Sequence, residues 1–363
     1  MAVNEPSLPM QAAIAAARAA RGRTSPNPWV GAALVRDGTV VSVAATEPYG
    51  GAHAEAAALA NVDAAGATLY TTLEPCVPFE GKRTPPCSDA IIAAGVTRGV
   101  VGLLDPHVGG HGVARLRAAG VEVEVGDGAA VITGLLRPYL RFRNSGRPYV
   151  IAKFAVSLDG MVGAPQAGVR WLTGPAAVER VHQDRDRVDA ILVGSGTVLA
   201  DDPALTARPG GTAASRQPVR VVLDSRGRSP VTARVFGGST PTIVATAPAS
   251  PRPWKESLQQ RGVTVLELEE GATGINLEQL LLALGQRNIV SLIAEGGPTV
   301  HAALLANDLV DEVHAYIAPR ILGNGIPLLP AGTLPLALEL REPVIEPLAP
   351  DVLLRGYTGS WSP

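Results

Sequence analysis

Apolar positions along this chain change period repeatedly, and the changes outline two α/β series in tandem. Residues 10–21 are rich in good helix formers and predict a helix. Two apolar runs, 29–35 and 40–44, flank Arg36-Asp37-Gly38-Thr39, the polar turn of a hairpin. The pattern then predicts a helix at 54–60, a strand at 68–73 and a helix at 88–94 with Ser88 as its N-cap. Strands at 99–104 and 121–125 enclose a helix at 114–119, and a helical stretch follows at 131–142. Asn144-Ser145-Gly146-Arg147-Pro148 breaks the series. A fresh one begins with a strand at 149–157 and continues with strands at 190–194, 219–224, 242–245, 263–267, 289–294 and 313–317. Helices fall at 175–186, 277–287 and 298–306. The run 289–294 is apolar throughout, as in a strand buried on both faces. Alternating strands and helices mark an α/β protein, with domains at 1–146 and 147–363.

A chain of 363 residues with 46% apolar and 18% charged content can fill two cores. Its 40 glycines and 31 prolines stay below the roughly 25–30% that marks low complexity. The net charge of −2, the 4% aromatic content and the absence of a basic run disfavour nucleic acid or anionic lipid as partner. No apolar run reaches the ~18 residues of a membrane span, and the first 20 residues lack the pattern of a secretory signal. Two cysteines cannot form a disulfide framework, so a reducing, cytoplasmic setting is expected. Lysine is confined to Lys82, Lys153 and Lys255, so a lysine in an unusual place carries more weight here than in most chains.

His53-Ala54-Glu55, Pro75-Cys76 and Pro86-Cys87 form the sharpest chemical signal. One imidazole and two thiolates suit zinc and leave its fourth position open for water, the arrangement of a catalytic site. Glu55, two residues beyond the histidine, is placed to move protons without ligating. Zinc nucleobase deaminases carry H-x-E followed by two cysteines. Their cysteines are separated by two residues, whereas ten intervene here. Spacing alone therefore leaves a second reading open, two buried thiols and a helix histidine. A structural zinc would need a fourth ligand, and His107 and His111 read as solvated or substrate-facing.

In the second half, Lys153 interrupts an apolar strand, as a functional lysine or one snorkelling from a sheet edge. Gly194-Ser195-Gly196-Thr197 follows a strand with residues small enough for a ligand to approach the backbone. Glu295-Gly296-Gly297-Pro298 joins a strand to a helix in the manner of a phosphate-binding turn. Neither is the dinucleotide fingerprint G-x-G-x-x-G.

In this order, the motifs resemble the bifunctional deaminase–reductase family of riboflavin biosynthesis. Those of the first half are Gly22-Arg23-Thr24-Ser25-Pro26-Asn27-Pro28-Trp29-Val30-Gly31, His53-Ala54-Glu55, Thr72-Leu73-Glu74-Pro75-Cys76, Arg83-Thr84-Pro85-Pro86-Cys87 and Asp105-Pro106. Those of the second are Lys153 to Gly160, Trp171 to Pro175, Gly194 to Pro203 and Glu295 to Thr299. The resemblance implies a cytidine-deaminase-like three-layer α/β/α domain followed by a dihydrofolate-reductase-like α/β domain. It implies zinc on His53, Cys76 and Cys87, with Glu55 shuttling a proton to the leaving ammonia, and a substrate contact from Asn27, which equally suits a plain turn before Pro28. It implies NADPH at Ala155, Trp171, Thr197, Asp201 and Ser225 and along Gly297, Pro298, Thr299, Val300, His301, Ala302 and Ala303. Substrate falls to Val169 (through its backbone), Arg185, Leu205, Arg208 and Glu295, the two arginines as a phosphate fork. Asp201 or Lys153 assists the reduction. The substrate implied is a small pyrimidine ribosylamine phosphate, and a homodimer through the second domain is expected. Two departures concern substrate grip: a two-residue insertion in the loop after Cys76, and Thr46 where the family often has His.

Overall fold

A computed structural model describes residues 5–78, 85–164, 168, 171–271, 274–332 and 337–359. The chain divides into two compact units, Met1–Gly146 and Arg147–Ser362.

The first unit runs α1 (Leu8–Ala20), β1 (Gly31–Arg36), β2 (Thr39–Ala45), α2 (Ala54–Leu59), β3 (Thr68–Leu73), α3 (Cys87–Ala93), β4 (Arg98–Leu103), α4 (His111–Ala118), β5 (Glu122–Val125) and α5 (Ala129–Ser145). Ser7 caps α1, and its own side chain donates to Asp127 at 2.5 Å. Met10, Ala13, Ile14 and Ala17 recur at helical spacing and form the buried face of α1. The sheet order is β2-β1-β3-β4-β5, with β1 antiparallel to β2 and β3, and β3, β4 and β5 parallel. The carboxyl ends of β3 and β4 are therefore side by side. The segments that leave them carry Cys76 and the stretch 105–111. One sequence expectation needs correcting: Pro86 is the N-cap of α3, and Ser88 lies within the first turn. The helix starts early because Cys87 and Ser88 direct their N–H groups to Cys76, at its Sγ and its carbonyl.

The second unit runs β6 (Tyr149–Ser157), β7 (Met161–Gly163), α6 (Pro175–Asp186), β8 (Ala190–Gly194), α7 (Ser195–Asp201), β9 (Val219–Leu223), β10 (Thr242–Thr246), α8 (Arg252–Gln260), β11 (Thr264–Glu267), β12 (Glu270–Gly271), β13 (Gly274–Ile275), α9 (Leu277–Gly285), β14 (Ser291–Ala294), α10 (Pro298–Ala306), β15 (Glu312–Ala318), β16 (Ile326–Pro327), β17 (Arg341–Leu348) and β18 (Asp351–Tyr357). Nine strands form one sheet in the order β11-β10-β9-β8-β14-β6-β15-β18-β17. It is parallel from β11 to β15 and ends in an antiparallel hairpin. The central strands are apolar on both faces, so period-2 alternation feeds two cores. Ala190, Leu192 and Leu292 meet α9 and α10 on one face, while Ile191, Val193 and Ile293 meet Val198 of α7 and Leu258 of α8 on the other.

A buried ionic group fixes α6 to this sheet. Asp184 accepts from Tyr316 at 2.7 Å, lies 3.2 Å from His314 and is paired with Arg180, which also reaches Glu346 of β17. Burial alone would lower the pKa of His314, but Glu312 and Asp184 outweigh it and hold it up at about 9. A raised pKa stabilises the fold fully below the ordinary value of 6.5, and that contribution is lost as pH climbs through about 9. The unfolding temperature of the second unit should therefore fall from pH 6.5 to above pH 9, and His314→Gln should flatten that slope. Calorimetric scans across this range check it; an equally steep slope in the variant counts against the assignment.

Candidate active sites

In the first unit, the carboxyl ends of β3 and β4 open on a cavity of about 390 Å³. His53 caps α2 and Cys87 opens α3, so helix starts deliver two of the three metal donors. His53 Nδ1 lies 3.5 Å from Cys76 Sγ and 3.4 Å from Cys87 Sγ, and the three donor atoms fall within 4.8 Å of one another. One imidazole and two thiols in so tight a group fit zinc. Among the described residues no further His, Cys, Asp or Glu completes the set, which leaves the open position of a catalytic site. Glu55 is 3% exposed and lines the same cavity. Burial, and then the Cys76 thiol, push its pKa up to about 7, where it can both take and give a proton.

Asn27, Thr46, His107 and His111 also line this cavity, the two histidines facing it rather than bulk solvent alone. Asn27 serves the turn as well, through backbone bonds with Thr24. The sequence reading missed Tyr139 and Arg143 of α5, which close the cavity beside Asp105. Tyr139 donates to Asp105 at 3.0 Å and accepts from Arg143 Nε at 3.2 Å. Burial raises the pKa of Asp105. Glu74 holds the loop from 105 to 113 in place by accepting the N–H groups of Asp105, Gly110, Gly112 and Val113 at 2.8–3.2 Å. Gly112 has to be glycine, since a Cβ would stand 2.1 Å from the Pro75 carbonyl. Val77 lines the cavity, but the rest of the altered loop, 79–84, lies outside the described residues.

The second unit holds a cavity of about 750 Å³ at the carboxyl ends of β8, β9 and β14. Of the expected nucleotide positions, Thr197, Asp201, Ser225, Gly297, Pro298, Thr299, Val300 and Ala303 line it. A Cβ on Gly297 would meet only Thr197 Oγ1, at 3.7 Å, so the turn offers bare backbone toward the cavity. This cradle, open on a long cleft, fits a dinucleotide. Gly296 has the opposite reason for lacking a side chain: a Cβ there would press on Val300 at 2.6 Å.

Other expected positions stand apart from this lining. Trp171 is 74% exposed, Ala155 packs against the cluster of Ala177, Tyr316 and Leu353, and Ala302 is outside the cavity wall. His301 is buried edge-on against Phe154, and burial followed by the Lys153 charge lowers its pKa to about 4. Val169 lies outside the described residues. The small residues after β8 open the short helix α7, with Gly194 as its N-cap.

Glu295 follows β14 and gathers the substrate candidates. Arg185 grips both its oxygens at 2.7 and 2.8 Å, and Lys153 Nζ lies 3.4 Å away. Lys153 is thus a paired buried lysine, and not one snorkelling to water. Burial would raise the carboxyl of Glu295, but the two cations hold it down at about 2. The expected phosphate fork therefore changes form: the Arg185 guanidinium grips Glu295, while the side chain of Arg208, exposed, donates to Thr206 Oγ1 and its backbone bonds His182 and Gly211. Leu205 has its side chain in the core and a φ of +50°, so only its backbone can face a substrate.

Fold and sites together define a two-headed enzyme, a zinc-dependent nucleobase-type deaminase joined to a nucleotide-dependent reductase. Residues 4–103 match the cytidine and deoxycytidylate deaminase zinc-binding region, and 148–354 the RibD C-terminal domain. The chain is 38% identical to the riboflavin biosynthesis protein RibD of Aquifex aeolicus, over 95% of this chain and 96% of the relative. It is likewise 38% identical to RibD of Escherichia coli, covering 95% and 97%. The solved structure of Acinetobacter baumannii RibD superposes with a TM-score of 0.86 at 34% identity, over 97% of this chain and 98% of that one. A Thermotoga maritima diaminohydroxyphosphoribosylaminopyrimidine deaminase/5-amino-6-(5-phosphoribosylamino)uracil reductase gives 0.82 at 32%, with the same coverage. The chain belongs to the RibD family of bifunctional riboflavin biosynthesis enzymes, and zinc and NADPH are its cofactors. Among the described residues no helix is long and apolar enough to cross a membrane.

Metal analysis tests the donor set. Cys76→Ser or Cys87→Ser should strip the single zinc from the chain, whereas Glu55→Gln should retain it. Zinc lost from Glu55→Gln would make that residue a ligand instead.

Proposed function

We propose that residues 1–146 deaminate 2,5-diamino-6-(5-phosphoribosylamino)pyrimidin-4(3H)-one. Residues 147–363 then reduce its ribosyl group to ribityl, giving 5-amino-6-(5-phosphoribitylamino)uracil. The observation that carries the first step is the three-donor cluster with Glu55 buried beside it in one cavity. Zinc, when bound, lowers the pKa of water in its open position to about 7. Glu55, buried beside the donors, would accept a proton from water in the cavity and pass it to the departing amino nitrogen. Asn27 and the histidines at 107 and 111 orient the ring and sugar, and the hydrogen-bonded Asp105–Tyr139–Arg143 side chains close the cavity wall.

For the second step, NADPH bound along Thr197, Ser225 and the turn after β14 would supply the hydride for the sugar C1′. The residues beside it position and charge-balance the substrate. Glu295 is locked by Arg185, so it presents a fixed carboxylate edge for sugar hydroxyls. Lys153, held at Glu295, or Asp201, on the cleft wall, would supply the proton. Arg208 takes the 5′-phosphate. Cysteines 76 and 87, neither of them in a disulfide, suit a cytoplasmic setting. A homodimer through the second domain is supported by the apolar surface of β17, where Ile345 is 69% exposed.

Product analysis with the diaminopyrimidinone, with and without NADPH, tests the sequence of steps. Without NADPH the deaminated ribosylamine should accumulate. Glu55→Gln should slow its formation by about 10²–10⁴-fold while reduction of supplied deaminated intermediate stays at the wild-type rate. Reduction without any deamination in the wild type would leave a reductase alone. Separately, Arg208→Ala should raise KM for the phosphorylated intermediate by about 10–100-fold and leave KM for NADPH unchanged. An equal rise for both would remove Arg208 from the substrate site.

A further inference from the structure

The cleft of the second unit carries one cation that no step above uses. Among the described lining residues Arg228 is the sole basic side chain and Asp201 the sole acidic one. Arg228 donates from Nη2 to Ser195 Oγ at 2.7 Å and forms no ion pair among the described residues. The arginines at 147, 180 and 185, by contrast, are all engaged by carboxylates.

Strand order shows which part of a ligand Arg228 meets. The ionic cluster of Lys153, Glu295 and Arg185 gathers at the end of β14, against the middle of β6, and a dinucleotide in the cleft would turn its reacting ring to that side. The turn at Gly297 comes next, after β14, and its bare backbone suits the pyrophosphate. β8 and then β9 follow outward in the sheet, and Arg228 stands in the turn after β9. Neighbouring strands lie about 4.8 Å apart, so two steps place that turn about 10 Å beyond the Gly-Gly turn. This is the side on which the adenosine ribose must lie.

Asp224 removes the usual obstacle to a phosphate there. An acidic residue at the end of such a strand ordinarily binds the ribose 2′-hydroxyl of NAD and repels the 2′-phosphate of NADP. Here the Asp224 carboxylate is 1% exposed and turned into its own loop, where it accepts the N–H groups of Arg228 at 3.0 Å and Ser229 at 2.7 Å. Trp254 clamps the same turn by donating from Nε1 to the Ser229 carbonyl at 2.8 Å. The acid that would select NAD instead fixes the backbone of the arginine that faces the cleft, a preorganised first contact with a second layer behind it.

We propose that Arg228 is the residue that reads the 2′-phosphate of the nucleotide and so selects NADPH over NADH, a reading that rests on the cleft being the dinucleotide site. Isothermal titration of the zinc-loaded full chain with NADPH, NADH, adenosine 2′,5′-bisphosphate and 5′-AMP tests it without turnover. Arg228→Ala should weaken NADPH and adenosine 2′,5′-bisphosphate by about 10–100-fold and leave NADH and 5′-AMP within twofold. Arg228→Lys should recover part of the loss. Arg226→Ala, two residues away and outside the cavity wall, should change none of the four. Equal weakening of NADPH and NADH, or no change in either, overturns the proposal, as does a selective loss in Arg226→Ala alone. If Arg228→Ala fails to fold, Arg228→Gln and Arg228→Lys carry the same comparison. Wild-type protein that binds none of the four ligands would instead refute the dinucleotide reading of the cleft, and this proposal with it.

Discussion

Glu295 is a carboxylate with almost no access to water, and the second unit is arranged around keeping it charged. Removing an ionised carboxylate from water costs several kcal/mol unless donors replace the solvent. Arg185 and Lys153 do so from two separate elements, one on α6 and one on β6. Each then has a fixed position, and so do the elements that carry them. Asp184, the neighbour of Arg185, is bound in turn to His314 and Tyr316 of β15. The position of Glu295 is thus set by a chain of pairings running from the middle of the sheet to its far strands. Breaking one member would leave its partner buried and uncompensated, which is more damaging than removing the pair.

The first unit solves the same problem with backbone instead of side chains. Glu74 is buried one residue before Pro75-Cys76, and four peptide N–H groups of the 105–113 loop converge on it. The residue that follows β3 next to the metal donors also determines where His107 and His111 stand. Metal site and substrate wall are therefore held to one reference point. That coupling explains why α4 comes so close to Pro75 that Gly112 has no room for a side chain.

Much of this was legible in the sequence where pattern and punctuation agree. β3, β6, α6 and α10 have the bounds their apolar period and flanking Pro or Gly imply. The metal donors were legible in type, one imidazole and two thiols beside a carboxyl, but the ten residues between the cysteines left a second reading open that only their convergence within 4.8 Å removes. Other elements hid behind mixed signals. α8 buries only Leu258 and begins among prolines, so it lacks an apolar stripe. β17 contains Pro343 and Pro347, which argue against a strand and are tolerated because it is the last in the sheet. Tyr139, Arg143 and the Arg185–Glu295 pairing were illegible for a different reason. Their meaning lies in partners 34 and 110 residues away, and no local pattern encodes which distant carboxylate an arginine will meet.

Leu205 shows how such a structure constrains its own variation. Its backbone is twisted to a φ of +50°, which costs a branched or bulky residue roughly 1–2 kcal/mol. Its side chain meanwhile fills the core beneath β8 and β9. Glycine would relax the twist but leave a void, and emptying a leucine site costs roughly 2–5 kcal/mol. Valine or isoleucine would worsen the twist without restoring the shape. Glycine and the β-branched residues are thus both uphill from leucine at this position, whereas an unbranched side chain of similar volume such as methionine keeps the core filled. The turn at Leu205 is in that sense held by a conflict between a backbone that prefers no side chain and a core that requires one.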